Sequence, residues 1–248
     1  MSFRVVIPAR HGASRLPGKP LIEIAGRPLI QHVCERALAS SAAEVWVATD
    51  DERIVAACAG LGVKTALTST AHASGTDRIG EVVAREGWGD DDIVVDLQGD
   101  EPLMPASAID AVAAALAADA EAGMATLAVR LHDAERFCDP HVVKLVTDGA
   151  GRALYFSRAP IPYPRDGGSD LPQEALRHVG LYAFRVATLA RLVAEPPCDM
   201  ERAEGLEQLR ALWLGVRIRV EVVAEMPLAA VDTAADIARV ERLLAGAE

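Results

Sequence analysis

Aromatic side chains are scarce in this chain: three Trp, three Tyr and four Phe make up 4% of 248 residues. That is too few for the stacking surface of a single-strand nucleic-acid binder. Positive charge is also short. Lys plus Arg number 25 against 36 Asp plus Glu, a formal net charge of −11. This excludes the basic footprint of a general nucleic-acid binder, although a local Arg and Lys cluster can still take an anionic ligand. No stretch approaches the ~18 consecutive apolar residues of a bilayer span. The longest apolar-rich run, 111–118, is short and dominated by Ala. The first residues read as the start of a strand, not as a basic region ahead of an apolar signal segment. A cytoplasmic protein with no membrane partner is therefore expected. Cys34, Cys58, Cys138 and Cys198 lie far apart and form no C-x-x-C, and the six His show no pair at metal-ligand spacing. A zinc site is disfavoured, and buried thiols in a reducing compartment are expected.

What is present is an ordinary globular composition, 51% apolar and 25% charged, enough for a sizeable core. Short apolar runs alternate with helical patterns. Strands are predicted at 3–9, 44–49, 63–67, 93–97 and 124–129. Helices are predicted at 28–41, 54–61 and 77–85, and from a capping box at Ser107 and Asp110 to about Asp119. This βαβαβα rhythm predicts an α/β fold, a mostly parallel Rossmann-like sheet with helices on both faces. The second half is less regular and reads as a smaller mixed α+β portion. It holds a strand pair at 142–147 and 152–157, a proline-rich loop at 159–175 and a strand at 176–184. Helices follow at 186–194 and 200–214, then a strand at 216–223 and a helix at 233–245 capped by Thr233 and Asp236. No linker separates independent domains, so the chain reads as one domain with halves at 1–130 and 131–248.

Open parallel sheets bind ligands at the carboxyl ends of their strands. Polar, glycine-bearing segments gather at those ends. The first, Arg10 to Pro20, carries Arg10, Arg15 and Lys19 among turn residues, a cradle for a polyphosphate. It is not a Walker A loop: five residues separate Gly12 from Gly18, and Pro20 follows Lys19. Asp100 follows the fourth strand in Gln98-Gly99-Asp100-Glu101-Pro102, and Asp232 precedes the last helix. Carboxylates at two strand ends suit Mg2+ held against substrate phosphates. Without a cation, a carboxylate ~4 Å from a phosphate would suffer roughly 4 kcal/mol of repulsion at an effective dielectric near 20. Ser157 lacks a G-x-S-x-G elbow, so covalent hydrolysis has little support.

Arg10 to Pro20, His72 to Arg78 and Gln98 to Pro102 resemble the motifs of the sugar nucleotidyltransferases. With 153–158, 177–182, 206–210 and 231–233, the chain most resembles the 3-deoxy-manno-octulosonate (Kdo) cytidylyltransferase family, over nearly its whole length. The resemblance implies that a Kdo hydroxyl attacks the α-phosphate of CTP, giving CMP-Kdo for lipopolysaccharide synthesis. It implies that Arg10, Arg15 and Lys19 hold the triphosphate, and that Ser74, Gly75, Arg78 and Gln98 lie near cytosine and ribose. Asp100 and Asp232 would hold Mg2+. The sugar acid would meet Arg158, Arg165, His178, Tyr182, Glu207 and Gln208. A homodimer formed through the second half is also implied. The alternatives are a related acceptor (8-amino-Kdo or a sialic acid) and a non-catalytic nucleotide-binding protein on the same fold.

Overall fold

A computed structural model describes residues 2–12, 16–165, 171–224 and 230–246. The strands are β1 (Phe3–Ala9), β2 (Glu23–Ile24), β3 (Arg27–Pro28), β4 (Glu44–Thr49), β5 (Lys64–Leu67), β6 (Ile93–Asp96), β7 (Met124–Arg130), β8 (Lys144–Thr147), β9 (Ala153–Ser157), β10 (Leu176–Arg185) and β11 (Ile218–Val223). The helices are α1 (Leu29–Leu38), α2 (Glu52–Ala57), α3 (Gly75–Glu86), α4 (Ala106–Ala118), α5 (Ala134–Cys138), α6 (Val186–Ala194), α7 (Asp199–Glu204), α8 (Gln208–Trp213) and α9 (Ala234–Leu244). The main sheet runs β11-β7-β10-β6-β1-β4-β5, with β8 and β9 attached through β10.

The parallel block β6-β1-β4-β5 is the predicted one. Its central strand is buried along almost its whole length, as its continuous apolar run requires. Alternate residues of β1 face opposite layers. Val5 and Ile7 belong to the core layer that also holds buried residues of α1, α4 and α9, while Val6 belongs to the layer that holds those of α3, α6 and α8. The long β10 then inserts antiparallel between β6 and β7, and β11 pairs parallel with β7. The less regular second half thus completes the same sheet.

Four readings are corrected. The predicted helix at 200–214 is two helices, because Gly205 adopts φ +63° and ends α7 by donating to Glu201 O (2.8 Å). Ser107 and Asp110 form no capping box. Pro105 is the N-cap of α4, and Asp110 instead accepts from the Ser41 backbone N–H (2.8 Å). Cys34, Cys58 and Cys198 are buried free thiols, but Cys138 is exposed. The short helix α5 and the hairpin of β2 and β3 lie in segments where no element was predicted.

Candidate active site

The ladder between β1 and β6 ends at the Val6–Asp96 pair, and the residues that follow on both strands line a cleft. Pro8 lies past that point, where its missing N–H breaks no bond to β6. Gly99 sits where a Cβ would come within 2.8 Å of Pro8 O. Only glycine lets the Gln98–Asp100 turn approach the end of β1 so closely. Val231 N–H then donates to Asp100 O (2.9 Å), joining the segment before α9 to this turn. A complete capping box between Thr233 and Asp236 fixes the start of α9, and Asp236 Oδ2 also accepts from Asp232 N–H (3.1 Å).

These backbone constraints bring Asp100 and Asp232 to one point, although 131 residues separate them in sequence. Lys19 occupies that point. It follows Gly18 in a left-handed turn and opens a short 3-10 helix, Lys19–Leu21. Its Nζ donates to Asp100 Oδ2 (2.6 Å) and Asp232 Oδ1 (3.1 Å). Burial alone would lower the Lys19 pKa, but Asp100 and Asp232 outweigh it and hold the ammonium above its ordinary value. Two carboxylates converging on one cation fit a magnesium ion, which takes one or two carboxylates plus phosphate oxygens. Among the described residues no cluster of three or more His, Cys, Asp or Glu could hold a metal.

Two cavities of about 420 Å3 each meet in the cleft. The first is lined by Arg10, Lys19, Ser74, Gly75, Arg78, Gln98, Asp100 and Asp232, all of them predicted nucleotide or metal residues. Arg15 lies outside the described residues. Ser74 is the N-cap of α3 and forms a capping box with Asp77. The buried Arg78 donates to Thr68 Oγ1 and to Asp50 Oδ2 (2.9 Å). Asp50 also accepts from His11 N–H (3.1 Å), which ties the first loop to α3.

The second cavity is lined by His178, Tyr182, Glu207 and Gln208, with Asp96 and Arg177. Gly75, Gln98 and Glu207 line both cavities and so form the shared wall. Thr76 Oγ1 donates to Glu207 Oε2 (2.9 Å) across that wall. The surrounding protein withdraws water from the Glu207 carboxyl and raises its pKa. Gln208 is buried, and its Nε2 lacks a hydrogen-bond partner among the described residues. The other two predicted sugar residues stand elsewhere. Arg158 donates from Nε to Glu204 O (2.6 Å) and from Nη1 to Pro140 O (3.0 Å), and it does not line the cavity. Arg165 is exposed and likewise absent from the lining.

A family model described as cytidylyltransferase matches residues 4–218. The 3-deoxy-manno-octulosonate cytidylyltransferase of Thioalkalivibrio sulfidiphilus is 52% identical over 248 residues, 98% of this chain and 99% of its own length. That of Pseudomonas fluorescens is 54% identical over 249 residues, 98% of each chain. The chain belongs to the 3-deoxy-manno-octulosonate cytidylyltransferase family. Like the other members it is an enzyme, a nucleotidyltransferase. A solved CMP:2-keto-3-deoxy-manno-octonic acid synthetase complexed with CTP matches with a TM-score of 0.89 and 42% identity, covering 99% of this chain and 98% of that one. A 4-diphosphocytidyl-2C-methyl-D-erythritol synthase, at 16% identity and a TM-score of 0.64 over 98% of this chain and all (100%) of its own, shares the fold.

Within the 3-deoxy-manno-octulosonate cytidylyltransferase fold, one cleft residue escaped the sequence reading. Asp96 is 1% exposed and lines the second cavity. Its Oδ1 accepts from Gln98 Nε2 (2.7 Å). Burial, reinforced by Glu207 and Asp100, raises its pKa well above the carboxylate range. The signal was an acid ending the otherwise apolar run Ile93-Val94-Val95.

Proposed function

We propose that this protein transfers the cytidylyl group of CTP to Kdo, forming CMP-Kdo and pyrophosphate for lipopolysaccharide synthesis. The observation that carries this reading is the pair of cavities with a common wall. One is rimmed by cations and an acid pair, and the other combines the hydrogen-bonding groups of His178, Tyr182, Glu207 and Gln208 with the guanidinium groups of Arg177 and Arg210. A nucleoside triphosphate and a sugar acid placed in them would adjoin at Gly75, Gln98 and Glu207.

The chemistry is a displacement at phosphorus. The anomeric 2-hydroxyl oxygen of Kdo gives up its proton to water and bonds to the α-phosphorus, the bond to the α–β bridging oxygen breaks, and pyrophosphate leaves with that oxygen. Both substrates are anions, so positioning and charge neutralisation supply most of the rate. Arg10 and Lys19 line the first cavity and meet the phosphates, with Arg15 of the same segment. Asp100 and Asp232 would hold Mg2+, which supplies Lewis-acid neutralisation of phosphate charge. Lys19 keeps the two carboxylates together before substrate arrives. In the second cavity, His178, Tyr182, Glu207 and Gln208 contact the sugar. Arg158 contributes by tying the 140 segment to the Gly205 turn, two stretches that wall this cavity.

A homodimer in the cytoplasm completes the reading. Leu154 on β9 and Trp213 on α8 are 60% and 59% exposed, and β9 and α8 pack against each other. Sedimentation that shows only monomer at micromolar protein would set the dimer aside. For the chemistry, Asp100→Asn is expected to lower turnover by on the order of 10^2–10^3-fold, a typical loss for one preorganised electrostatic group. Its melting temperature should change little, because the ion pair with Lys19 is partly exposed. Turnover within threefold of the parent would remove Asp100 from the mechanism.

A further inference from the structure

The hydrogen bonding around His178 fixes more than its position. Between β10 and β7 the register slips from the Val179–Leu127 pair to the Tyr182–Thr126 pair, leaving Gly180 and Leu181 as extra residues on β10. This bulge places three groups around the hydroxyl of the fully buried Thr126. Thr126 Oγ1 lies 3.1 Å from Val179 O, 2.9 Å from Leu181 O and 2.9 Å from His178 Nε2. A hydroxyl carries one proton, and the two carbonyl oxygens can only accept. If that proton went to the ring nitrogen, the lone pairs of the threonine would face two carbonyl oxygens at hydrogen-bond distance. The proton therefore goes to a carbonyl, and His178 Nε2 is the donor to Thr126.

We infer that Thr126 is a positioning residue that locks His178 as the neutral Nε2–H tautomer, so that Nδ1 is an acceptor for a hydroxyl of the sugar and not a cation for its carboxylate. The consequence for the substrate rests on reading this cavity as the acceptor site. Nδ1 has no hydrogen-bond partner among the described residues and is not a buried orphan, so it is open to a ligand. Phe156 meets the ring edge-on at 5.1 Å and Tyr182 lies at 5.4 Å, which hold its plane. Burial and the neighbouring Arg177 push the His178 pKa down to about 3, in keeping with a ring that stays neutral. A neutral imidazole has two tautomers, and the hydrogen bond at one nitrogen decides which is present.

The test combines long-range 1H–15N NMR of histidine-labelled full-length protein with steady-state kinetics. The His178 signals are assigned by their loss in His178→Gln. In the parent at pH 7, Nε2 should give a protonated-nitrogen shift and Nδ1 an unprotonated one. Thr126→Val, which keeps the shape and removes the hydroxyl, should give averaged shifts from both tautomers. It should also raise KM for the sugar acid about tenfold, the worth of one hydrogen bond, and leave KM for CTP unchanged. Thr126→Ser should restore both readouts. A parent spectrum with Nδ1 protonated, or parental shifts in Thr126→Val, overturns the inference. If Thr126→Val does not fold, the parent spectrum and Thr126→Ser decide. If His178→Gln leaves KM for the sugar acid unchanged, the acceptor-site reading fails and the substrate consequence falls with it. The tautomer assignment is judged separately by the spectra.

Discussion

Single side chains in the cleft divide into those whose neighbours are local and those whose neighbours are distant. Arg10, Lys19 and Asp100 were legible because each follows a strand end, and strand ends open the cleft. Arg158 was less legible, because the carbonyls of Pro140 and Glu204 that hold it lie 18 and 46 residues away. Asp96 was not legible as a cleft residue, because its burial depends on β10 lying beside β6. Its ionisation carries a prediction. Burial, with Glu207 and Asp100 nearby, raises the Asp96 pKa in the folded state, whereas the unfolded chain releases that proton near pH 4. The folded state therefore binds more protons above that range, and stability is lost as pH rises, until the folded-state pKa is passed. One proton is worth about 1.4 kcal/mol per pH unit. Asp96→Asn should flatten the fall of stability with rising pH above about pH 4, measured by urea denaturation. A slope unchanged by the substitution would contradict the raised Asp96 pKa. Glu101, pushed up to about 8 mainly by burial and then by Asp100 and Asp232, supplies a residual slope of the same sign.

At the scale of elements, caps and breaks decide where functional residues point. The cap of α9 was legible in Thr233 and Asp236, since a box of this spacing is local chemistry. The break at Gly205 was missed, because the apolar pattern of 200–214 continues through it. That break places Leu206, Glu207 and Gln208 in the cavity wall. The false box at Ser107 shows the opposite error, with Asp110 recruited by Ser41 from 69 residues away. Thr233→Ala should cost about 1 kcal/mol, the usual loss for an N-cap. Because Asp232 adjoins that cap, turnover should fall more than affinity for CTP. Denaturation midpoints and a split of kcat from KM check both parts, and an unchanged kcat would separate α9 from the site.

For the molecule as a whole, the βαβ rhythm made the parallel block and its two helical layers readable. The rhythm could not reveal that β10 inserts antiparallel between β6 and β7, because long-range strand order leaves no local pattern. Yet that insertion builds the second cavity, since β10 supplies His178 and Tyr182 beside Asp96. The claim at this scale is that one sheet sets a nucleotide cavity against an acceptor cavity for a single transfer. Pyrophosphate release, followed with Mg2+ present, measures this directly. Release is expected only when CTP and Kdo are supplied together, and to fall at least tenfold when UTP replaces CTP. Equal release from CTP without Kdo, or equal rates with UTP, would contradict the account.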